Sequence, residues 1–246
     1  VVLVRPHFAG NLGSVARIMA NFGFRDLVLV EPIVDPTAEE AIRMATHGRP
    51  VLESARTVPT LRDALADCVA TMASGGLIEG VERQTVTGTP EEKLPFLIES
   101  CPAGPTALVF GPEPHGLTTA EIGLCHGMIH MPTFADCPSI NLSHAVAICL
   151  YEWTRLVGTV SPIEARDLAV HAELDRLFDH LKKAFEAIHY IFGSKADQLM
   201  HGFRHVIGRA RPTKQDVRLL HGLARQILYI ARKHNGDAGE VKESEG

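Results

Sequence analysis

Apolar residues in the first 155 positions fall into short continuous runs separated by helical patterns. Val1–Val4, Leu27–Val30, Val69–Met72, Ala107–Phe110 and Met128–Met131 are such runs. A strand that does not alternate apolar with polar positions is buried on both faces, so these runs predict a parallel sheet between two helical layers. Between them, Leu12–Phe22 predicts a helix stopped at Gly23. Thr89-Pro90-Glu91-Glu92 supplies an N-cap, a first-turn proline and acids beside the positive helix end. Asn141–Trp153 predicts a further helix, with Leu142, Ala145, Val146, Cys149, Leu150 and Trp153 on one side.

Gly158–Pro162 is the turn-rich joint at which the pattern changes. Beyond it the period is helical throughout. Leu174, Leu177, Phe178, Leu181, Phe185, Ile188, Ile191 and Phe192 hold one stripe, and Asp197–Ile207 predicts a second helix. Thr213-Lys214-Gln215-Asp216 resembles a capping box ahead of Val217, Leu220, Leu223, Ile227 and Ile230. The expected organisation is an α/β domain over 1–157, an all-helical extension over 163–235 and a polar, flexible tail over 236–246. The stripe from Leu174 to Phe192 also fits a dimerisation helix.

Composition narrows the class. The 246 residues are 46% hydrophobic and 22% charged, which excludes a disordered or collagen-like chain. No apolar run approaches the roughly 18 residues of a membrane-spanning helix, and no signal-peptide pattern opens the sequence. The sequence starts at Val1, so the native start is expected upstream. Five cysteines (68, 101, 125, 137 and 149) form no CxxC pair, and the 13 histidines show no metal-ligand spacing. A reducing, cytoplasmic setting and a metal-free site are the expectation.

The net charge of −5 hides an asymmetry. Residues 1–160 carry 10 basic against 17 acidic side chains, whereas residues 195–235 carry 9 basic against 2 acidic. A basic stretch on an acidic body is the footprint of a protein that meets a polyanion, although a solvated helix face has the same composition.

Three segments carry candidate chemistry. Gly10-Asn11-Leu12-Gly13-Ser14-Val15-Ala16-Arg17 follows the first strand at the expected start of a helix, where free N–H groups face an anion. It is neither GxGxxG nor a P-loop, so it supports neither a dinucleotide nor a nucleoside triphosphate. Arg17 taken alone is as well explained by a solvent-facing ion pair. Phe110-Gly111-Pro112-Glu113-Pro114-His115-Gly116-Leu117 ends a buried strand, with prolines and glycines around one carboxylate. Loops at strand C-termini are where α/β sheets bind ligands, and a tight connection reads the same way. Pro138-Ser139-Ile140-Asn141-Leu142-Ser143 precedes a helix, so Ser139 or Asn141 is either its N-cap or a site residue. No G-x-S-x-G elbow accompanies that serine.

In this order the three segments read P-x4-N-x-G-x3-R, F-G-x-E-x-x-G-L and P-S-x-N-L-S-x-A. Together they resemble the three motifs of the SpoU branch of the SPOUT RNA methyltransferases, over Val1 to about Arg155. The wording around the first and third motifs, with helices behind, is most similar to bacterial tRNA ribose methyltransferases acting on nucleotide 32 of the anticodon loop. The resemblance implies a C-terminal trefoil knot in the sheet domain, a homodimer, and methyl transfer from S-adenosylmethionine to a ribose 2′-hydroxyl.

It further implies a catalytic group of Arg17, Asn11, Glu113, Ser139 and Asn141. Thr71, Met72, Ala73, Gly111, Met131, Ser139, Ile140 and Leu142 would surround the cofactor. Guanidinium pKa values above about 12 make Arg17 a poor base, so a grip on the target phosphate is the expected role. RNA contact falls to Arg83, Arg204, Arg209, Arg211, Lys214, Arg218 and Arg225. Phe8-Ala9 before the first motif and His115 in the second depart from the family wording and bear on substrate choice. A ribosomal RNA substrate and a non-catalytic RNA-binding protein are the competing readings. A nucleotide-dependent oxidoreductase or kinase lacks its phosphate loop.

Overall fold

A computed structural model describes residues 1–76, 87–158, 167–193 and 196–240, which divide into two compact units, Val1–Arg166 and Asp167–Gly246. Arg83 lies outside the described residues.

The first unit is a parallel sheet of β1 (Val2–Val4), β2 (Val28–Val30), β3 (Arg56–Val58), β4 (Ala70–Ser74), β5 (Thr87–Gly88), β6 (Thr106–Phe110) and β7 (Gly127–Ile129). Their order across the sheet is β3-β2-β1-β6-β4-β7-β5. Each apolar run divides its side chains between two cores. Leu3, Met72, Leu108 and Ile129 pack on one face, and Val2, Val4, Ala73, Val109 and Met128 on the other. The two edge strands were not predicted. Arg56-Thr57-Val58 is mostly exposed and Thr87-Gly88 is two residues long, as edges that must resist further pairing tend to be.

On the Leu3 face lie α1 (Ala9–Asn21), α2 (Glu39–Ala45), a 3-10 turn over Thr46–Gly48, and α3 (Arg49–Glu53). The same layer includes α5 (Pro90–Ser100) and α7 (Leu142–Leu156). The opposite face is covered by α4 (Leu61–Leu65) and α6 (Thr119–Ile122). The capping box predicted at Thr89 is present, Thr89 N donating to Glu92 Oε2 at 2.9 Å.

Helix α1 starts earlier than the sequence predicts. Phe8 is its N-cap, with no side-chain cap bond, so Gly10–Arg17 lies inside the helix rather than ahead of it. Gly13 is buried there because α2 crosses closely: a Cβ on Gly13 would stand 2.1 Å from the Ala41 carbonyl oxygen. That glycine serves helix packing and not an anion.

The second unit holds α8 (His171–Ala187), α9 (Ala196–Arg209) and α10 (Lys214–Glu240). Leu174, Leu177, Phe178 and Leu181 of the predicted stripe are buried with Met200 of α9 and Val217 and Ala224 of α10. They are core of their own chain, which removes them from a dimer face. The stripe ends sooner than predicted, since α8 stops at Ala187 and Ile188 and Phe192 are exposed. Helix α10 continues past Gly236, where the sequence predicts a flexible tail. Its intrahelical backbone bonds carry it on without an apolar run.

Candidate active site

The three motifs meet at the C-terminal edge of the sheet. β6 ends at Phe110, and the loop after it folds back so tightly that a Cβ on Gly111 would lie 2.3 Å from the Leu117 amide nitrogen. Gly116 N donates to the Pro112 carbonyl at 2.8 Å, and Gly116 takes φ +68°, a conformation costly for any residue with a Cβ. This closed loop presents the Glu113 carboxylate to the start of α1. After β1, Arg5 turns the chain with φ +46°, and its guanidinium pairs with Glu121 at 2.6 Å.

Glu113 uses both oxygens. Oε2 accepts the His7 backbone N–H at 3.0 Å, and Oε1 accepts Asn11 Nδ2 at 2.9 Å. Asn11 Oδ1 in turn accepts Asn141 Nδ2 at 2.9 Å. Asn141 Oδ1 accepts the Ser143 N–H at 2.9 Å and the Ser143 hydroxyl at 2.8 Å, capping α7. The relay therefore joins all three motifs through hydrogen bonds ordered in one direction toward the carboxylate. Asn141 caps α7 and at the same time joins the relay, so the capping reading does not exclude a place at the groove.

Two depressions share this wall. The first, about 360 Å³, lies outside the ends of β4, β6 and β7 and is lined by Ser74, Gly75, Gly76, the Phe110–Gly116 loop, Met131, Pro138, Ser139, Ile140, Leu142 and Ala145. The second, about 800 Å³, is an open groove whose lining includes His7, Phe8, Gly10, Asn11, Ser14, Glu40, Met44 and Asn141. Glu113, Ser139, Ile140 and Leu142 line both. A smaller cavity thus abuts a wider trough, and the relay lines the trough and ends at Glu113, which both share.

Of the residues assigned to the cofactor, Gly111, Met131, Ser139, Ile140 and Leu142 line the first cavity. Thr71, Met72 and Ala73 do not. They are interior residues of β4, and Thr71 is occupied with His126, Oγ1 and Nδ1 standing 2.9 Å apart. The strand runs further than predicted, so its open end is Ser74-Gly75-Gly76. Two glycines directly after an apolar strand were the signal for that floor. Exposed Phe8, at the groove, was flagged only as a departure in wording.

Arg17 lines neither depression. It is exposed on α1, without a hydrogen-bond or ion-pair partner among the described residues. Gly10, Ser14 and Arg17 follow i, i+4, i+7 spacing and so share one helix face, of which Gly10 and Ser14 line the groove. Helical side chains lean toward the N-terminus, which directs Arg17 along that face.

The residues 1–151 match the SpoU rRNA Methylase family. The chain belongs to the SpoU methylase family. Residues 172–238 match the C-terminal domain of the tRNA methyltransferase TrmJ. Over 240 residues the chain is 32% identical to the tRNA (cytidine/uridine-2′-O-)-methyltransferase TrmJ of Klebsiella pneumoniae, covering 92% of this chain and 95% of that one. The tRNA (cytidine/uridine/adenosine-2′-O-)-methyltransferase TrmJ of Pseudomonas aeruginosa is 30% identical, with 94% of each covered. The crystal structure of TrmJ from Z. mobilis superposes with a TM-score of 0.78 at 29% identity, covering 92% of this chain and 97% of that one.

The cysteines take no part in the relay. Burial pushes the thiols of Cys125 and Cys149 up to about 12 and that of Cys68 up to about 11, which keeps them protonated and inert. Among the described residues no group of three or more His, Cys, Asp or Glu is placed to hold a metal ion, and no helix is long and apolar enough to cross a membrane.

In the second unit the predicted RNA-contact residues separate. Arg204 pairs with Asp175 and lies 4.5 Å from the centroid of the Phe178 ring, and Lys214 pairs with Asp167 at 2.8 Å. Arg211 takes φ +50° in the turn before α10. Arg209, Arg218 and Arg225 are exposed.

Proposed function

We infer that this chain transfers a methyl group from S-adenosylmethionine to a ribose 2′-hydroxyl of tRNA, at nucleotide 32 of the anticodon loop. The observation that carries the reading is the relay Asn141–Asn11–Glu113, which lines the groove and ends at the Glu113 carboxylate that also lines the 360 Å³ cavity.

The cavity fits the cofactor. Gly75, Gly76, Gly111 and Gly116 bring bare backbone to the cavity for an adenosyl moiety to approach, and Phe110, Met131, Ile140 and Leu142 supply apolar walls. S-adenosylmethionine brings an already electrophilic methyl group. What remains for the protein is to align the 2′-oxygen and help remove its proton. The relay holds Asn11 and Asn141 at the groove in fixed orientations, so neither reorganises when a ribose arrives. Exposed Phe8 offers a face for stacking on the target base, a contact that tolerates several bases. Arg17 grips a phosphate through its planar guanidinium and favours the alkoxide that develops at the sugar.

The protein acts as a homodimer in the cytoplasm. Ile148 and Tyr151 of α7 are exposed beside Phe22 and Pro90 in a depression of about 620 Å³, a face suited to a second copy. The C-terminal helices hold RNA by phosphate contacts, and the sheet domain carries the trefoil knot that the family implies. Incubation with unmodified tRNA and S-adenosylmethionine, followed by mapping of ribose methylation, tests the reading. A 2′-O-methylated nucleotide in the anticodon loop supports it, and a product on ribosomal RNA alone replaces it.

A further inference from the structure

Helices α8 and α10 start side by side. Leu168 and Thr213 form an antiparallel bridge, Ala169 N donates to the Pro212 carbonyl at 2.9 Å and Lys214 N to the Asp167 carbonyl at 3.0 Å. From this common start the helices stay together until His180 of α8 meets His221 of α10, with their Nδ1 atoms 2.8 Å apart and ring centroids 5.1 Å apart. One turn before His180 stands Arg176. Arg218 stands one turn before His221, and Arg225 one turn after it.

Three cations of this unit are already paired. Lys182 pairs with Asp197, Arg204 with Asp175 and Lys214 with Asp167. Arg176, Arg218 and Arg225 are exposed and have no hydrogen-bond or ion-pair partner among the described residues. Positive groups gathered without a counter-charge cost Coulomb energy, and an arriving anion removes that cost. Arg218 and Arg225 stand seven residues, about 10 Å, apart along α10, so one strand of a polyanion could meet both through different phosphates.

The histidines add a second property. An Nδ1-to-Nδ1 hydrogen bond needs one donor and one acceptor, so the pair takes up at most one extra proton while the bond lasts. His221 is held below the ordinary imidazole value, first by burial and then by His180, Arg225 and Arg176. The charged groups that act on His221 are Arg176 on α8 and Arg225 on α10. The neighbouring carboxylate of Asp179 is exposed and acts on Lys182.

We propose that Arg176, His180, His221 and Arg225 form a binding site for the phosphodiester backbone of RNA, and that filling it draws one proton onto the histidine pair. The proposal rests on the tRNA-methyltransferase reading and adds to it a located contact with its own signature. A phosphate oxygen beside the imidazoles accepts their N–H groups and stabilises the charged form, so binding and protonation favour each other.

Equilibrium binding of full-length protein to unmodified tRNA, followed across a salt series at pH about 6 and about 8, tests this. Wild-type affinity should rise severalfold at the lower pH, within the tenfold per pH unit that uptake of one proton allows. Arg176→Gln with Arg225→Gln should lower the slope of log affinity on log salt by about 1 to 2, and the corresponding lysine variants should restore it. His180→Asn with His221→Asn should flatten the pH dependence of tRNA binding and leave the salt slope at pH about 8 near that of the wild type. A glutamine pair with the wild-type salt slope, or an asparagine pair with the wild-type pH profile, overturns the proposal while the enzyme reading stands. A wild-type protein that binds no tRNA overturns both.

Discussion

Asn11 donates its side-chain amide to Glu113 Oε1 at 2.9 Å across 102 positions of sequence. The other carboxylate oxygen is taken by the His7 N–H, so the group works as a double acceptor. Glutamine in its place has one acceptor oxygen and must turn an NH₂ toward a donor. Hydrogen bonds to charged groups contribute about 1.5–3 kcal/mol, and the relay depends on this one. Glu113→Gln should therefore slow single-turnover methylation by roughly 10- to 100-fold, with cofactor affinity changed only a few-fold by calorimetry. An unchanged rate would show that the relay does not organise the site.

Asn141 combines two roles that one substitution separates. Asp keeps the cap, because its carboxylate still accepts the Ser143 N–H at the positive end of α7. It cannot donate to Asn11 Oδ1, and the two oxygens then repel or turn Asn11 away from Glu113. Asn141→Asp should hold thermal stability near wild type and lose most activity. Asn141→Ala should lose activity and also about 1 kcal/mol of stability. Equal melting temperatures for the two variants would contradict the capping role.

Arg17 is exposed and has no partner among the described residues, so its replacement should leave stability within about 0.5 kcal/mol. Lysine preserves charge but not the planar fork that grips a phosphate through two bonds. Arg17→Lys should cut kcat/KM on tRNA at least about tenfold, with unaltered melting. Near-full activity would remove the need for a guanidinium.

Gly13 is predicted to matter for structure alone. The added methyl group of alanine would collide with the Ala41 carbonyl oxygen, 2.1 Å away, and push α2 off α1. Gly13→Ala should cost about 1–3 kcal/mol, read from urea unfolding. Activity in the fraction that stays folded should persist.

The first unit has its own pair of cores and contains the whole cavity. A chain ending before Ser161 should bind S-adenosylmethionine as the full chain does and fail to methylate tRNA. Methylation at the full-length rate would take RNA holding away from the C-terminal helices.

What the sequence made legible follows from where the physics is local. The runs around Leu3, Leu29, Leu108 and Met128 could only be doubly covered strands, and Thr89 with Glu92 could only open a helix. Arg56–Val58 was invisible because an edge strand needs neither apolar continuity nor alternation. The start of α1 was misplaced because Phe8 caps it by backbone geometry without a side-chain bond. At the site, each motif residue was nameable, but its partner was not. Asn11, Glu113 and Asn141 are adjacent only because α1, the loop after β6 and the start of α7 converge, a relation that periodicity does not encode. Thr71–Ala73 stop one residue short of the cavity lining because strand ends depend on pairing: β4 continues beside β6 to Ser74.

The methyl donor is expected in the cavity and the ribose in the groove, on either side of Glu113, Ser139, Ile140 and Leu142. Nucleoside-resolved mass spectrometry of tRNA lacking the modification, after incubation with this protein and S-adenosylmethionine, tests it most directly. The expected result is a single new methyl group on the 2′-oxygen of nucleotide 32, absent when Glu113 and Asn141 are both replaced by alanine. A methyl group on a base, or tRNA recovered unmodified from the wild-type reaction, would contradict the account.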